Sequence, residues 1–317
     1  MNKGLPGERL ASIVVPTLNR PAALARALAS ATAQEGVAAG DYEVVVVDNS
    51  ADANARAAVE ALASRSPVPV RYLSQPRPGV ATARNTGVAA AAGRWIAFLD
   101  DDEEASSRWL AGLVATAERT GADAVFGPVR ARAEEGAEIG PFAPYFSREI
   151  AAATGEDITR LHAYLGTNNS LFSRARCLGD GAPFAERLDR SGGEDSLLLK
   201  RLVLEGRRLA WCAEAAVTEW VPPKRLTWSY VHRRKFLSGQ VRSFVYAMLA
   251  PPRRAPIALW MAVGAVQFAL YGAAALAARP LDATRAARWR ASAQGGLGKV
   301  LWMERFRPGL YGTGLVS

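Results

Sequence analysis

Cysteine is scarce in this sequence, and the features of an exported protein are missing. Its 317 residues include two cysteines, Cys177 and Cys212, which cannot form a disulfide framework and show no metal-ligand spacing. No apolar run precedes Ala11, so we expect no secretory signal and a location in the cytoplasm. Since 50% of the residues are hydrophobic and 22% are charged, we expect a folded core rather than a disordered chain.

Acidic residues are rare only in the last third of the chain. Residues 222–317 contain 15 Lys or Arg and two acidic residues, a net charge of +13, whereas residues 1–221 carry −4. This contrast indicates an anionic partner that meets the tail alone, either nucleic acid or a phospholipid surface. The apolar content of the tail favours the phospholipid surface, and we expect no nucleic-acid partner.

An uncharged stretch within this tail, Pro256 to Ala278, is 23 residues long and is flanked by Arg253-Arg254 and Arg279. Its length is sufficient for a transmembrane helix. The arginines that follow it oppose export of that end, and its Ala and Gly content weakens its apolar drive. We therefore predict a monotopic or re-entrant attachment to the cytoplasmic face of the inner membrane. A single span and a buried soluble helix are the alternatives.

Short apolar runs alternate with helical patterns in the first third of the chain. Four runs are typical of buried strands: Ser12–Pro16, Glu43–Asp48, Val68–Leu73 and Arg94–Leu99. This alternation predicts an α/β fold with a mostly parallel sheet and helices on both faces. In such sheets ligands bind at the carboxyl ends of the strands.

Polar residues follow three of these predicted strands. Asn19 follows the first, Asp48 ends the second, and the triplet Asp100-Asp101-Asp102 follows the fourth. Clustered carboxylates repel one another unless a cation neutralises them, and a few oxygen ligands suit Mg²⁺ or Mn²⁺ bound jointly with phosphates. The sequence therefore predicts a metal and phosphate site here. A solvated acidic turn is the alternative for an isolated triplet.

A second acidic pair, Glu194-Asp195, precedes a predicted helix over Ser196–Leu204. One interpretation is an N-terminal cap that interacts with the helix dipole. The other is a catalytic carboxylate, since Gly192-Gly193 permits close approach of a ligand.

Five short motifs stand in the order found in one enzyme family: Val14–Arg20, Val46–Ser50, Ala83–Gly87, Phe98–Asp102 and Gly193–Asp195. From about residue 10 to residue 240, the sequence resembles the inverting glycosyltransferases of family 2, which have the GT-A fold. Within that family it is most similar to the bacterial enzymes that assemble exopolysaccharide repeat units on a lipid carrier, the succinoglycan type. The resemblance implies a catalytic domain over residues 10–221, and residues 222–317 are then a helical extension for membrane association.

The resemblance also implies a donor site built from the first four motifs. Its nucleotide contacts would be Pro16, Thr17 and Asn19 at the base, Asp48 at the pyrimidine N–H, Arg84 beside the nucleotide and Asp101 at the ribose. Asp102, with Asp100, would hold Mg²⁺ or Mn²⁺ as a Lewis acid on the departing diphosphate. The expected donor is a UDP-linked or other pyrimidine-linked sugar.

For the acceptor, the resemblance implies that Asp195 is the general base that deprotonates the attacking hydroxyl. Inverting transfer needs one carboxylate opposite the leaving group, whereas glycosidases need a flanking pair. Further contacts to the acceptor or the diphosphate are expected from Asn168 or Asn169, Glu194, Arg233 and Arg234. The Gln-x-x-Arg-Trp motif of the processive synthases is missing, so we expect addition of one sugar to a lipid-linked or cell-surface glycan.

Two other functions remain as alternatives. A sugar nucleotidyltransferase needs a glycine-rich, basic phosphate loop after its first strand, where this sequence has Asn19-Arg20-Pro21. A non-catalytic protein that binds a membrane surface or nucleic acid through the basic tail has no need of the triplet or of Asp195. We therefore favour the glycosyltransferase.

Overall fold

A computed structural model describes residues 9–189 and 191–307, which divide into two compact units. The first, called the sheet unit here, comprises residues 9–131 and 146–220. The second, the helical unit, comprises residues 132–145 and 221–307. The sequence did not predict that residues 132–145 belong to the second unit.

Ten strands and nine α-helices lie within the described residues. The strands are β1 (Arg9–Thr17), β2 (Tyr42–Asp48), β3 (Val70–Ser74), β4 (Gly93–Phe98), β5 (Glu103–Ala105), β6 (Ala124–Phe126), β7 (Val129–Ala133), β8 (Ser170–Ser173), β9 (Leu209–Trp211) and β10 (Val217–Val221). The helices are α1 (Pro21–Thr32), α2 (Arg56–Ala63), α3 (Val80–Ala90), α4 (Trp109–Thr120), α5 (Ala143–Phe146), α6 (Glu194–Leu204), α7 (Trp228–Ala247), α8 (Arg254–Ala278) and α9 (Ala283–Val300).

The main sheet has the strand order β3-β2-β1-β4-β8-β6-β9. β1 to β4 run parallel, as predicted, whereas β8 is antiparallel to both β4 and β6. Thr17 pairs with Asp48, and Val14 pairs with Phe98, so β1, β2 and β4 end at the same edge. A smaller sheet, in the order β5-β10-β7, was not predicted.

Strand β2 shows why helices cover both faces of this sheet. All seven of its residues are buried. Val44 and Val46 pack into one apolar cluster with side chains of α1, α2 and α4, while Val45 and Val47 pack into another with side chains of α3 and α6. Because alternate residues of a strand point to opposite faces, the two clusters lie on opposite sides of the sheet.

Glycines let the three long helices of the helical unit approach closely. A Cβ on Gly239 of α7 would overlap the carbonyl oxygen of Gly295 in α9, and a Cβ on Gly298 would overlap that of Phe236. Between α8 and α9, a Cβ on Gly264 would lie 2.6 Å from the carbonyl oxygen of Gly296. No larger residue fits at these crossings without moving a helix.

Helix α8 contains the whole uncharged stretch predicted from the sequence. It is the one helix among the described residues that is long and apolar enough to cross a membrane, with a mean hydropathy of 1.6 over an 18-residue window. Only 6% of that window is buried, and Leu259, Leu270 and Leu276 are largely exposed. The alternative of a buried soluble helix therefore does not describe α8.

Candidate active site

The acidic triplet follows β4, and residues at the end of β1 and shortly after it hold it in place. Thr17 Oγ1 donates a hydrogen bond of 2.8 Å to Asp101 Oδ2. Arg20 Nη1 lies 3.2 Å from Asp101 Oδ1 and 2.9 Å from Asp102 Oδ2. The structure thus brings together Thr17, Asp101 and Asp102, which were predicted as site residues, and it adds Arg20.

Proximity and burial make Asp100 and Asp101 hard to ionise. Burial, and then the charge of Asp102, raise the pKa of Asp101 to about 7, although Arg20 and the Thr17 hydrogen bond lower it. Burial also raises the pKa of Asp100 against the effect of Arg84, and Asp102 adds to the increase. A further cation at the triplet would relieve this repulsion and favour the ionised carboxylates.

The donor atoms at the triplet suit a hard divalent cation. Asp100 and Asp102 offer carboxylate oxygens, and Mg²⁺ commonly takes one or two carboxylates together with substrate phosphates. Within residues 9–189 and 191–307, no group of three His, Cys, Asp or Glu side chains is arranged to hold an ion by itself. Since Arg20 pairs with Asp102 here, an ion at this carboxylate would need further ligands, such as phosphate oxygens.

Arg84 connects the triplet with the second acidic pair. This buried side chain lies on α3, and its Nη1 donates a hydrogen bond of 2.6 Å to Glu194 Oε1. Its Nη2 lies 3.4 Å from Asp100 Oδ1. The sequence predicted that Arg84 would lie near the nucleotide, but it did not predict this bridge between two motifs that are 94 residues apart.

Glu194 lies buried at the start of α6, two residues earlier than the predicted helix start. Burial and the charge of Asp195 raise the pKa of Glu194 to about 7, although Arg84 lowers it. Its Oε2 atom is buried and has no hydrogen-bond partner among the described residues. A protonated or ligand-bound carboxyl group would satisfy this atom.

Asp195 lies in the first turn of α6, after Gly193 at φ 92°. Its Oδ1 accepts a hydrogen bond of 2.6 Å from the N–H of Ser196. A Cβ on Gly166 would lie 3.1 Å from Asp195 Oδ2, so the glycine leaves room beside that oxygen. Asp195 therefore lies at the positive end of the α6 dipole, as both interpretations of this pair require.

Beside the triplet lies a polar network that the sequence did not predict. Glu103 Oε1 accepts a hydrogen bond of 2.9 Å from Asn168 Nδ2, and Asn168 Oδ1 accepts one of 3.1 Å from Arg148 Nη1. Burial, and then the charge of Asp100, raise the pKa of Glu103 well above its usual value. Glu103 adjoins the triplet in sequence, whereas Arg148 comes from a segment with no motif and could not be predicted.

Asn169, which the sequence offered with Asn168 as an acceptor contact, is a structural residue instead. It is fully buried, and its Oδ1 accepts a hydrogen bond of 2.7 Å from Trp109 Nε1. Its Nδ2 donates to the carbonyl oxygens of Pro128 and Ala215. Because all its polar side-chain atoms have protein partners, Asn169 is not an acceptor contact.

Asp48 is also fully hydrogen-bonded. Its Oδ1 accepts from the N–H and the hydroxyl of Ser50, and its Oδ2 accepts from the N–H of Ala55 and the hydroxyl of Tyr72. Burial opposes ionisation, but these hydrogen bonds outweigh it and lower the pKa of Asp48. Its contact with a pyrimidine N–H stays a prediction, and it requires one partner, such as the Ser50 hydroxyl, to turn away.

The remaining predicted residues lie at the ends of their elements or in the helical unit. Pro16 pairs with Val47 in the sheet, and the exposed Asn19 has a positive φ of 56° and accepts a hydrogen bond of 2.7 Å from Asn54 Nδ2. Arg233 and Arg234 lie on α7, with Arg233 exposed. Their contacts with donor or acceptor stay predictions.

A family model described as "Glycosyl transferase family 2" matches residues 12–174, just over half of the chain. The chain belongs to glycosyl transferase family 2. This match confirms the family predicted from the five motifs, and with it the class of enzyme, a glycosyltransferase. The bridge between the triplet and Glu194 therefore belongs to a sugar-transferring enzyme.

Curated relatives of this family 2 enzyme cover most of its length. It is 36% identical over 251 residues to the succinoglycan biosynthesis protein ExoM of Rhizobium meliloti, covering 77% of each chain. It is 26% identical to the glycosyltransferase AglE of Haloferax volcanii, covering 80% of each chain. The similarity to ExoM confirms the predicted resemblance to the succinoglycan type.

Solved structures support the fold of this family 2 enzyme. The S. aureus TarS 1-349 structure in complex with UDP has a TM-score of 0.53 at 18% identity, covering 92% of this chain and 90% of TarS 1-349. The mannosyltransferase PcManGT of Pyrobaculum calidifontis, in complex with GDP-Man and Mn²⁺, has a TM-score of 0.61 at 20% identity. This match covers 94% of this chain and 88% of PcManGT. The predicted GT-A fold is confirmed.

Proposed function

We propose that this enzyme moves one sugar, with inversion, from a nucleotide-diphosphate sugar to a hydroxyl group of a glycan acceptor. The observation that carries the proposal is the pairing of Arg84 with both Asp100 and Glu194. The two acidic motifs share one cation, which supports a single site with a donor half at the triplet and a base half at Asp195.

In the proposed reaction, Asp195 accepts the proton of the acceptor hydroxyl while the hydroxyl oxygen forms a bond to the anomeric carbon. The bond from that carbon to the diphosphate oxygen breaks on the opposite face, and the nucleoside diphosphate leaves with the bonding electrons. One carboxylate is sufficient for this single displacement. The orphaned Oε2 of buried Glu194 supports a second contact to the acceptor or the diphosphate.

For the metal, we propose that Asp102, together with Asp100, holds Mg²⁺ or Mn²⁺. A bound ion would stabilise the negative charge on the departing diphosphate. The raised pKa of Asp101 beside Asp102 supports this assignment, because a cation would offset the repulsion that causes the increase. The Mn²⁺ in the structure of PcManGT supports it further.

We propose a UDP-linked sugar as the donor and a lipid-linked or cell-surface glycan as the acceptor, with residues 222–317 attached to the cytoplasmic face of the inner membrane. TarS structures contain UDP and UDP-GlcNAc, and ExoM is named for succinoglycan biosynthesis. PcManGT contains GDP-Man, and Asp48 is fully hydrogen-bonded here. A donor panel should therefore include GDP sugars as well.

The test compares Asp195→Asn with wild type in nucleoside-diphosphate release from a panel of sugar nucleotides. We expect the substitution to abolish transfer and to leave intact the thermal stabilisation given by UDP with Mn²⁺. Asp180→Asn is the matched control, because Asp180 is an exposed aspartate of the same unit. Turnover retained by Asp195→Asn, or lost equally in the control, would contradict the assignment.

A further inference from the structure

Three cations of the helical unit come together from two helices. Lys235 and Arg242 lie on α7 seven residues apart, about two helical turns, so they lie on the same face of that helix. Lys299 lies near the end of α9. The glycine contacts between α7 and α9 bring these two helices close enough for their side chains to meet.

The two lysine side chains converge on the same turn of α9. Lys299 Nζ donates hydrogen bonds of 3.2 Å to the carbonyl oxygen of Gly295 and 2.8 Å to Gln267 Oε1 of α8. Lys235 Cε lies 3.9 Å from the position that a Cβ on Gly295 would take. Side chains from α7, α8 and α9 therefore surround this position.

The charged neighbours that shift these two lysines are all cations. Burial lowers the pKa of Lys235, and Arg242 and Arg234 lower it further. Burial also lowers the pKa of Lys299 to about 8, with Arg242 and Lys235 adding to the effect. Across residues 9–189 and 191–307, the Lys235 ammonium group has no hydrogen bond or ion pair.

We propose that Lys235, Arg242 and Lys299 form a binding site for the phosphate group of an anionic lipid. Two half-buried lysines beside a guanidinium group repel one another, and a phosphate would offset this repulsion while accepting hydrogen bonds from both ammonium groups. None of these three residues is among those assigned above to the donor, the metal or the base.

The surroundings favour a lipid over free phosphate as the source. Helix α8 belongs to the same unit, and its exposed Leu259, Leu270 and Leu276 are suited to the acyl region of a membrane surface. A basic site beside an exposed apolar helix matches the headgroup level of an anionic leaflet. The inference rests on the membrane association proposed above, and it does not depend on the transfer reaction.

The experiment uses the full chain and vesicles of phosphatidylcholine with or without phosphatidylglycerol. Lys235→Gln removes one charge from the site, whereas Arg285→Gln removes one from an exposed position of α9. We expect Lys235→Gln, and likewise Lys299→Gln, to weaken binding to the anionic vesicles about tenfold or more. A general surface charge is worth about fivefold at most, which is the limit expected for Arg285→Gln.

The outcomes separate this site from the other proposals. Equal losses in Lys235→Gln and Arg285→Gln would overturn the site, and failure of the wild type to bind anionic vesicles would overturn membrane association as well. Inorganic phosphate that stabilises the wild type but not Lys235→Gln, with equal vesicle binding by both, would contradict a lipid as the source. Stabilisation by UDP with Mn²⁺ should stay unchanged in Lys235→Gln, whatever the fate of the proposed reaction.

Discussion

Each unit of this enzyme gathers charges of one sign, and the two groups differ in the sign of the charges described next to them. The acidic triplet and Glu194 pair with Arg20 and Arg84. The neighbours that shift Lys235 and Lys299 are themselves cations. The acidic cluster is therefore held in place before any ligand binds, whereas the Lys235 ammonium group would gain a partner from a bound ligand.

The strongest test of this comparison is removal of Arg84, the cation that pairs with both Asp100 and Glu194. Arg84→Met leaves the buried Glu194 and the neighbouring Asp100 without their shared partner. Breaking a buried ion pair in this way costs about 3–5 kcal/mol. Urea denaturation should show a loss of that size, and Glu194→Gln in the same chain should restore part of it.

The matched control for this experiment is Arg130→Met, since Arg130 and Glu149 form an ion pair at 3.2 Å in which both side chains are more than half exposed. Exposed pairs are worth less than about 1 kcal/mol. If Arg84→Met lowers the free energy of unfolding no more than Arg130→Met does, the sheet unit does not depend on the arginine that pairs with its acidic residues. The proposed difference between the acidic and the basic cluster would then be wrong.

Asp102→Asn should damage function while sparing the fold. Loss of a group that stabilises transition-state charge typically lowers turnover about 100-fold to 1000-fold. Stability should not fall much, because the Asp102 charge that raises the pKa of Asp101 is removed along with the Arg20 contact. Nucleoside-diphosphate release and thermal shifts with UDP and Mn²⁺ are the measurements. Undiminished Mn²⁺-dependent nucleotide binding would exclude Asp102 as the ligand.

Glu194 should make the stability of the protein depend on pH. Its pKa is raised from 4.5 to about 7 in the folded protein, so the folded state keeps a proton that the unfolded state has lost. This group contributes stability that is fully present below pH 4.5 and lost as the pH rises through about 7. In urea titrations, Glu194→Gln should have a flatter profile over this range than the wild type. An unchanged slope would argue against the raised pKa.

Lys235→Gln should have the smallest effect of the four variants predicted here. Its effect on the free energy of unfolding should be opposite in sign to that of Arg84→Met. Since the Lys235 ammonium group has no partner in the described chain and has cationic neighbours, its removal relieves repulsion. Urea denaturation should show a free energy of unfolding that is unchanged or raised by up to about 1 kcal/mol. A clear loss of stability would show that Lys235 is structural, and would remove the basis for a lipid site.

The clusters also differ in how far the sequence could predict them. The triplet is contiguous and follows a buried apolar strand, so its position at the edge of the sheet could be predicted directly. The β1 to β4 alternation could be predicted for the same reason, because each of these strands coincides with a short apolar run in the sequence. Lys235 and Lys299 are far apart in sequence and meet only through the glycine contacts of α7 and α9, which no local pattern indicates.

Other features escaped prediction because they depend on long-range pairing. β8 runs antiparallel between β4 and β6, and this position is set by the whole sheet rather than by its own four residues. The position of Arg148 also depends on a distant contact, because it donates a hydrogen bond to Asn168 from a segment without a motif. Asn169 has the residue type of a ligand contact, and only its burial against Trp109 identifies it as structural.

The central claim is a single displacement at a site with one catalytic base, Asp195. The most direct test is the anomeric configuration of the glycosidic bond in the first product, observed by proton NMR with a donor from the panel that supports transfer. The proposed reaction predicts a product whose anomeric configuration is opposite to that of the donor sugar. A product that retains the donor configuration would contradict it, because retention by two displacements needs a nucleophile in addition to the base.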